Sequence, residues 1–261
     1  MDWFLRQHSV VQALLGTLFT YGVTACGAAL VFFFREIRRK PLDIMMGFAA
    51  GVMIAASFWS LLSPAIELAS TLGHCAWLTA AAGFLSGGLF IMLSDLLLSR
   101  LSRDGLTRRS KSSLLLVSAI TLHNIPEGLA VGVAFGCAGL GLEGASTLSA
   151  IMLAVGIGLQ NFPEGLCAAL PIRNTGKSCR RSFFVGQSSG MVEPPAGVLG
   201  ALAAIRMQAL LPLALTFSAG AMIAVVCSEL IPESFRDNKT LATLGVLAGF
   251  AVMMVLDVAL G

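Results

Sequence analysis

Charge is what this chain has least of: 12% of its 261 residues are Asp, Glu, Lys or Arg, against 56% hydrophobic. That scarcity excludes an ordinary soluble domain and a disordered chain, both of which depend on charge to stay in water. Histidine is rare too, with three in all, and none falls between positions 99 and 113. The six cysteines include no C-x-x-C pair, so no redox chemistry is inferred. Cys26, Cys137, Cys167 and Cys227 fall in or beside apolar stretches and read as small hydrophobes, whereas Cys75 and Cys179 lie near opposite faces and cannot easily pair.

What the chain does have is apolar length, with a mean hydropathy of +0.86. A membrane helix needs about 20 apolar residues. Eight such runs are present, at roughly 10–34, 44–66, 75–98, 114–140, 145–172, 183–205, 210–230 and 241–260. The runs are continuous and not of alternating polarity, which argues against a transmembrane barrel. The first is too long for a signal-peptide core and has no clear cleavage site after it, so it is expected to be retained. The expected fold is an all-α integral membrane protein, one transmembrane domain over residues 1–261 with eight transmembrane helices.

Every Lys and Arg except Arg6 and Arg206 falls in the first, third, fifth or seventh connection. The positive-inside rule makes that face cytoplasmic and puts both termini on the extracytoplasmic side. The net charge of +3 is explained by this topology, so no nucleic-acid partner is expected.

Polar groups inside the apolar runs are costly and mark sites. The fourth run contains His123-Asn124-Ile125-Pro126-Glu127-Gly128-Leu129, and the fifth contains Gln160-Asn161-Phe162-Pro163-Glu164-Gly165-Leu166. In a helix, residues three and four apart share a face. His123, Asn124 and Glu127 therefore point one way, as do Gln160, Asn161 and Glu164. Each motif carries a proline that leaves the carbonyl of Leu122 or Leu159 without its helical donor, so kinked fourth and fifth helices are expected. A break of this kind is tolerated in a membrane only where protein or a water-filled cavity satisfies it.

A third carboxylate, Glu193, precedes Pro194-Pro195 in the sixth run. Three buried glutamates cannot all stay ionised in low dielectric without protons or cations. One divalent ion would leave a single negative charge on the trio, and two would leave a single positive one, which favours one well-held ion. Imidazole and carboxylate suit zinc and its first-row neighbours, whereas an all-oxygen cage suits calcium or magnesium.

These motifs, together with Gly190-Met191-Val192-Glu193-Pro194 and Ser228-Glu229-Leu230-Ile231-Pro232-Glu233-Ser234, resemble the ZIP (Zrt/Irt-like) divalent metal transporters, in particular their compact bacterial GufA-like and ZupT-like branch. The resemblance covers nearly the whole chain. It implies a multi-pass protein of a bacterial cytoplasmic membrane, working as a homodimer. It implies zinc uptake to the cytoplasm, with iron, manganese, cobalt or cadmium as competitors, and no cofactor beyond the transported metal. It also implies a binuclear site. The first position would use His123, Glu127, Gln160 and Glu164 with Met53 as a soft ligand, and the second Asn124, Glu127, Asn161, Glu164 and Glu193, with Glu127 and Glu164 bridging. Asn161 stands where some relatives carry Asp, and Gln160 where animal and plant members commonly carry His. Family likeness further implies an elevator-like cycle in which the first, fourth, fifth and sixth spans move against the others, and an inverted relation between the first three and last three spans.

Asp95, Glu229, Glu233 and Asp257 fall near span ends, where solvation is the default, with Glu229 and Glu233 the best placed for an exit relay. Glu67 and His74 are expected at the outer face. Glycines four apart recur at Gly47 and Gly51, Gly83 and Gly87, Gly128, Gly132 and Gly136, Gly186 and Gly190, and Gly245 and Gly249. They permit close helix packing or a sliding interface. A carrier that is ion-coupled or works in efflux would use the same residues. An intramembrane hydrolase is a remote rival, because Gly186-Gln187-Ser188-Ser189-Gly190 matches G-x-S-x-G but lies in an apolar helix and not on a strand-to-helix turn.

Overall fold

A computed structural model of the chain describes residues 2–34, 39–101, 108–142, 145–174 and 176–260. Among these residues all regular structure is helical. Six helices are long and apolar enough to cross a membrane: α1 (Ser9–Phe32), α2 (Arg39–Thr71), α3 (Ala76–Leu97), α5 (Thr147–Arg173), α7 (Gln208–Ser234) and α8 (Lys239–Ala259). The fourth and sixth predicted runs take other forms. The fourth, α4, is one helix over Arg108–Gly139 that starts several residues before the apolar stretch. The sixth, α6, comprises Cys179–Ser188, a tighter 3-10 turn Ser189–Val192 and Glu193–Arg206. Pro194 and Pro195 have no N–H to give the carbonyls of Gly190 and Met191, which accounts for the change of winding at that point.

Proline shapes α2 and α7 in the same way. Pro64 and Pro232 leave the carbonyls of Ser60 and Ser228 without donors, and just before each proline the helix widens into a π turn, Ser57–Leu62 and Val226–Leu230. There the Ser63 N–H donates to the Phe58 carbonyl and the Ile231 N–H to that of Val226, five residues back in each case. Pro126 and Pro163, by contrast, lie inside uninterrupted helices.

Four helix pairs make the most extensive contacts: α1 with α5, α2 with α8, α3 with α7, and α4 with α6. Exchanging α1 with α6, α2 with α7, α3 with α8 and α4 with α5 maps this pairing onto itself. The same exchange brings the π turns of α2 and α7 together, and the two proline motifs. Glycine makes the pairs possible. A side chain at Gly51 or Gly249 would meet the backbone of Val246 or Phe48 across the α2–α8 contact, and one at Gly132 or Gly200 would meet that of Gly197 or Leu129 between α4 and α6. These glycine contacts lie inside α1/α4/α5/α6 or inside α2/α3/α7/α8, and not between the two sets, which favours the tight-packing reading over a sliding surface.

The segments differ sharply in burial. Only 17% of the most apolar window of α3 and 22% of that of α8 are buried, against 67% for α5. Trp77, Leu85, Leu93, Leu247 and Val258 point outward, as befits helices bathed in lipid. The interior holds Thr17, Thr20, Thr24, Ser189 and the side chains of both proline motifs. An apolar exterior around a polar centre is the reverse of a soluble protein and suits a hydrocarbon solvent.

Candidate metal centre

The two motifs meet where α4 packs on α5. His123, Asn124, Glu127, Gln160, Asn161 and Glu164 are each no more than 2% exposed. One ligand atom from each of His123, Glu127 and Glu164 lies within 4.8 Å of the others. His123 Nε2 is 3.2 Å from Glu164 Oε2, and Gln160 Nε2 donates to Glu127 Oε1. The helical spacing that put an imidazole and a carboxylate on one face of α4 thus brings them against the carboxylate of α5.

The hydrogen-bond pattern is more informative than the distances. His123 Nδ1, Asn124 Oδ1, Glu127 Oε2, Gln160 Oε1, Asn161 Oδ1 and Glu164 Oε1 are buried without a hydrogen-bond partner. Each of the six motif side chains contributes one such atom, and each atom can offer a lone pair. Buried polar atoms are normally paired, and an orphan costs about 1–3 kcal/mol. Unpartnered donors of electron pairs beside the His123–Glu127–Glu164 group are what a cation requires, and nitrogen with oxygen suits zinc-like ions.

Glu193 is placed differently. It lies outside the His123–Glu127–Glu164 group and is held by Thr20, whose hydroxyl donates to Oε2, by Thr24 at 3.4 Å, and by Asn161 Nδ2 at 3.0 and 3.1 Å from its two oxygens. Asn124 turns its amide nitrogen to the Ser189 carbonyl at 2.9 Å. The residues of the second implied position are therefore tied to one another and to α1 and α6. Thr20 and Thr24 were not singled out from the sequence, although Thr17, Thr20 and Thr24 recur at helical spacing in an apolar run and could have been found by that signal.

Met53 is fully buried on α2. Its level follows from register. Cys167 Sγ of α5 contacts Met46 Sδ of α2 at 2.9 Å, and counting seven residues back along α5 and forward along its antiparallel partner brings Met53 level with Gln160.

Of the outlying acids, Glu233 is an ion-pair partner. Arg39 Nη1 reaches its carboxylate at 2.6 Å and Nη2 its carbonyl at 2.8 Å, while Nε lies 3.1 Å from Asp43 and 3.2 Å from Asp237. This network joins the start of α2 to the end of α7. Glu229 and Asp95 lie within electrostatic range of His123. At the opposite end of the bundle, Glu67, Asp257, Ser60, Ser146 and Ser149 line a cavity of about 260 Å³, where Ser60 donates to Asp257 at 2.6 Å.

Comparison with known proteins gives the family. A family model described as "ZIP Zinc transporter" matches residues 102–257. The chain is 41% identical to human "Zinc transporter ZIP11", covering 98% of this chain and all of that protein. It is 40% identical to "Zinc transporter GufA" of Myxococcus xanthus, over 95% and 98% of the two chains. It is 37% identical to "Zinc transporter ZIPB" of Bordetella bronchiseptica, over 98% and 83%. The GufA alignment runs over 259 positions and the human one over 346, so the compact form is shared with the Myxococcus protein. Through this likeness, which extends over almost its whole length, the chain belongs to the ZIP zinc transporter family, whose members are transporters and not enzymes.

Proposed function

We propose that the chain is a divalent metal uptake transporter of the cytoplasmic membrane, preferring zinc, that carries its ion through a site bridged by Glu127 and Glu164. The observation that carries this reading is the buried His123–Glu127–Glu164 cluster, with ligand atoms within 4.8 Å of one another, in a pair of motifs whose six polar side chains each keep one buried atom without a partner. All eight helical segments cross the membrane, with both termini outside. The ion collects in the cavity of Glu67 and Asp257. The cavity wall reaches Ala134 and Leu153, seven residues from Glu127 and Gln160, or about 10 Å along each helix. The intervening Ala130, Val131, Ala154 and Ile157 are fully or almost fully buried. That apolar barrier calls for alternating access and not an open pore. Movement of α1, α4, α5 and α6 against α2, α3, α7 and α8 is supported by the glycine-to-backbone contacts, which fall within each set, whereas between the sets Gly156 of α5 meets the side chain of Met253 on α8.

In this state the His123–Glu127–Glu164 position is the assembled one, and two carboxylates there balance one divalent ion. Carboxylates and imidazole must be free of protons to bind metal, so affinity falls as pH falls. Radiolabelled zinc uptake into proteoliposomes tests the reading, with wild type beside Glu164→Ala at two pH values and with zinc supplied from either side. Uptake lost in the variant, and weaker for wild type at the lower pH, is expected. Equal uptake by both proteins would remove Glu164 from the ion path.

A further inference from the structure

Of the three buried glutamates, Glu193 has a partner for both oxygens, whereas Glu127 Oε2 and Glu164 Oε1 are open, as are Asn124 Oδ1 and Asn161 Oδ1. Four of the five residues of the second implied position therefore keep a lone pair free, and the fifth is closed. Apart from Asn161, what closes it comes from α1. Thr20 and Thr24 are buried there, and α6 packs closely around them. A Cβ at Gly190 would stand 3.1 Å from the Thr24 side chain, and one at Gly197 would stand 2.5 Å from the Thr17 methyl.

Each group that holds Glu193 has a second acceptor within reach. The Thr20 hydroxyl, which donates to Glu193 Oε2, is 3.0 Å from the Thr17 carbonyl. The Thr24 hydroxyl, 3.4 Å from Glu193 Oε1, is 3.2 Å from the Thr20 carbonyl, and Asn161 Nδ2 is 3.4 Å from that same carbonyl. A threonine hydroxyl carries one proton and turns it to either acceptor. All three groups can thus release Glu193 to the α1 backbone without leaving a buried donor unpaired, which is the costly outcome in such an exchange. We infer that Thr20 is a positioning residue that keeps Glu193 withdrawn from the metal, so that the centre takes one ion readily and a second only when Thr20 turns back to the Thr17 carbonyl. This role rests on the proposed metal site but not on transport, and it lies wholly within the α1/α4/α5/α6 set.

The test titrates zinc into the full-length protein in detergent and follows bound metal by equilibrium dialysis with elemental analysis. Wild type should fill one position first and a second only at higher free zinc. Thr20→Val keeps the shape of the side chain and removes the hydroxyl. It should leave the first affinity unchanged and tighten the second by about tenfold, the upper part of what one hydrogen bond contributes. Thr20→Ser, which keeps the hydroxyl, should bind as wild type does. Adding Glu193→Gln to Thr20→Val should abolish the gain, because the released carboxylate is then missing. Circular dichroism verifies each fold, and Thr20→Ala serves as a second variant without the hydroxyl. The same second affinity in wild type, Thr20→Val and Thr20→Ala would overturn the role of Thr20, as would Thr20→Ser behaving like Thr20→Val. A wild-type protein that binds no ion would overturn the metal site and this role together. The expected titration in a protein without zinc uptake would uphold the role and count against the transport reading alone.

Discussion

Asn161 gives one amide group to both oxygens of Glu193, at 3.0 and 3.1 Å, and so supplies the positive end of a dipole where a cation would otherwise be needed. Asn161→Asp removes that donor and sets two carboxylates face to face in a buried site. Breaking a buried charge arrangement in this way costs about 3–5 kcal/mol. The metal-free variant should therefore melt well below wild type. A divalent ion between the two acids would offset the loss, by about 2.7 kcal/mol at a hundredfold excess over its Kd. Thermal unfolding with and without zinc, together with metal stoichiometry by elemental analysis, checks this. A variant that melts like wild type without zinc and gains no second ion would contradict it. Much of the site's residue list could be read from helical spacing, because three- and four-residue intervals fix which side chains share a face. The hold on Glu193 could not, since it depends on Thr20 and Thr24 of α1, a helix far away in sequence.

At the scale of elements, the apolar runs located the helices but not their internal winding. The sixth run reads as one helix, yet Pro194 and Pro195 divide it at Ser189–Val192, and Pro64 and Pro232 widen α2 and α7 locally. Hydropathy carries no information on which carbonyl loses its donor, whereas the proline positions do once a helix is assumed. Glycine spacing was visible as well, but not which partners it served. Gly249 lies against the Phe48 carbonyl on α2, whereas nothing approaches the site where a Cβ of Gly22 would stand. Gly249→Ala should force α8 off α2 at a cost of about 1–3 kcal/mol or more. Gly22→Ala should be neutral or stabilising by up to about 1 kcal/mol, as expected for an open helix position. Thermal stability of the two purified variants in detergent distinguishes them, and equal melting would argue against the α2–α8 contact described here.

For the whole molecule, the number of crossings decides which face each loop occupies, and two cysteines make that number measurable. Cys75 lies between α2 and α3, and Cys179 opens α6 after α5. If all eight segments cross, Cys75 is outside and Cys179 is cytoplasmic. If only the six helices that are apolar throughout cross, the chain is inside after α3, stays there past α4, and emerges through α5, which puts Cys179 outside with Cys75. Length favours eight. The 32 residues of α4 extend about 48 Å, well over the roughly 30 Å hydrocarbon thickness. Charge agrees, because Arg173, Lys177, Arg180 and Arg181 cluster around Cys179, and positive residues stay in the cytoplasm. A membrane-impermeant maleimide applied to intact cells should therefore label a variant retaining only Cys75 and spare one retaining only Cys179, which should react after the cells are opened. Labelling of Cys179 in intact cells would leave α4 and α6 as non-crossing elements, and the His123–Glu127–Glu164 cluster would no longer lie on a route between the two faces.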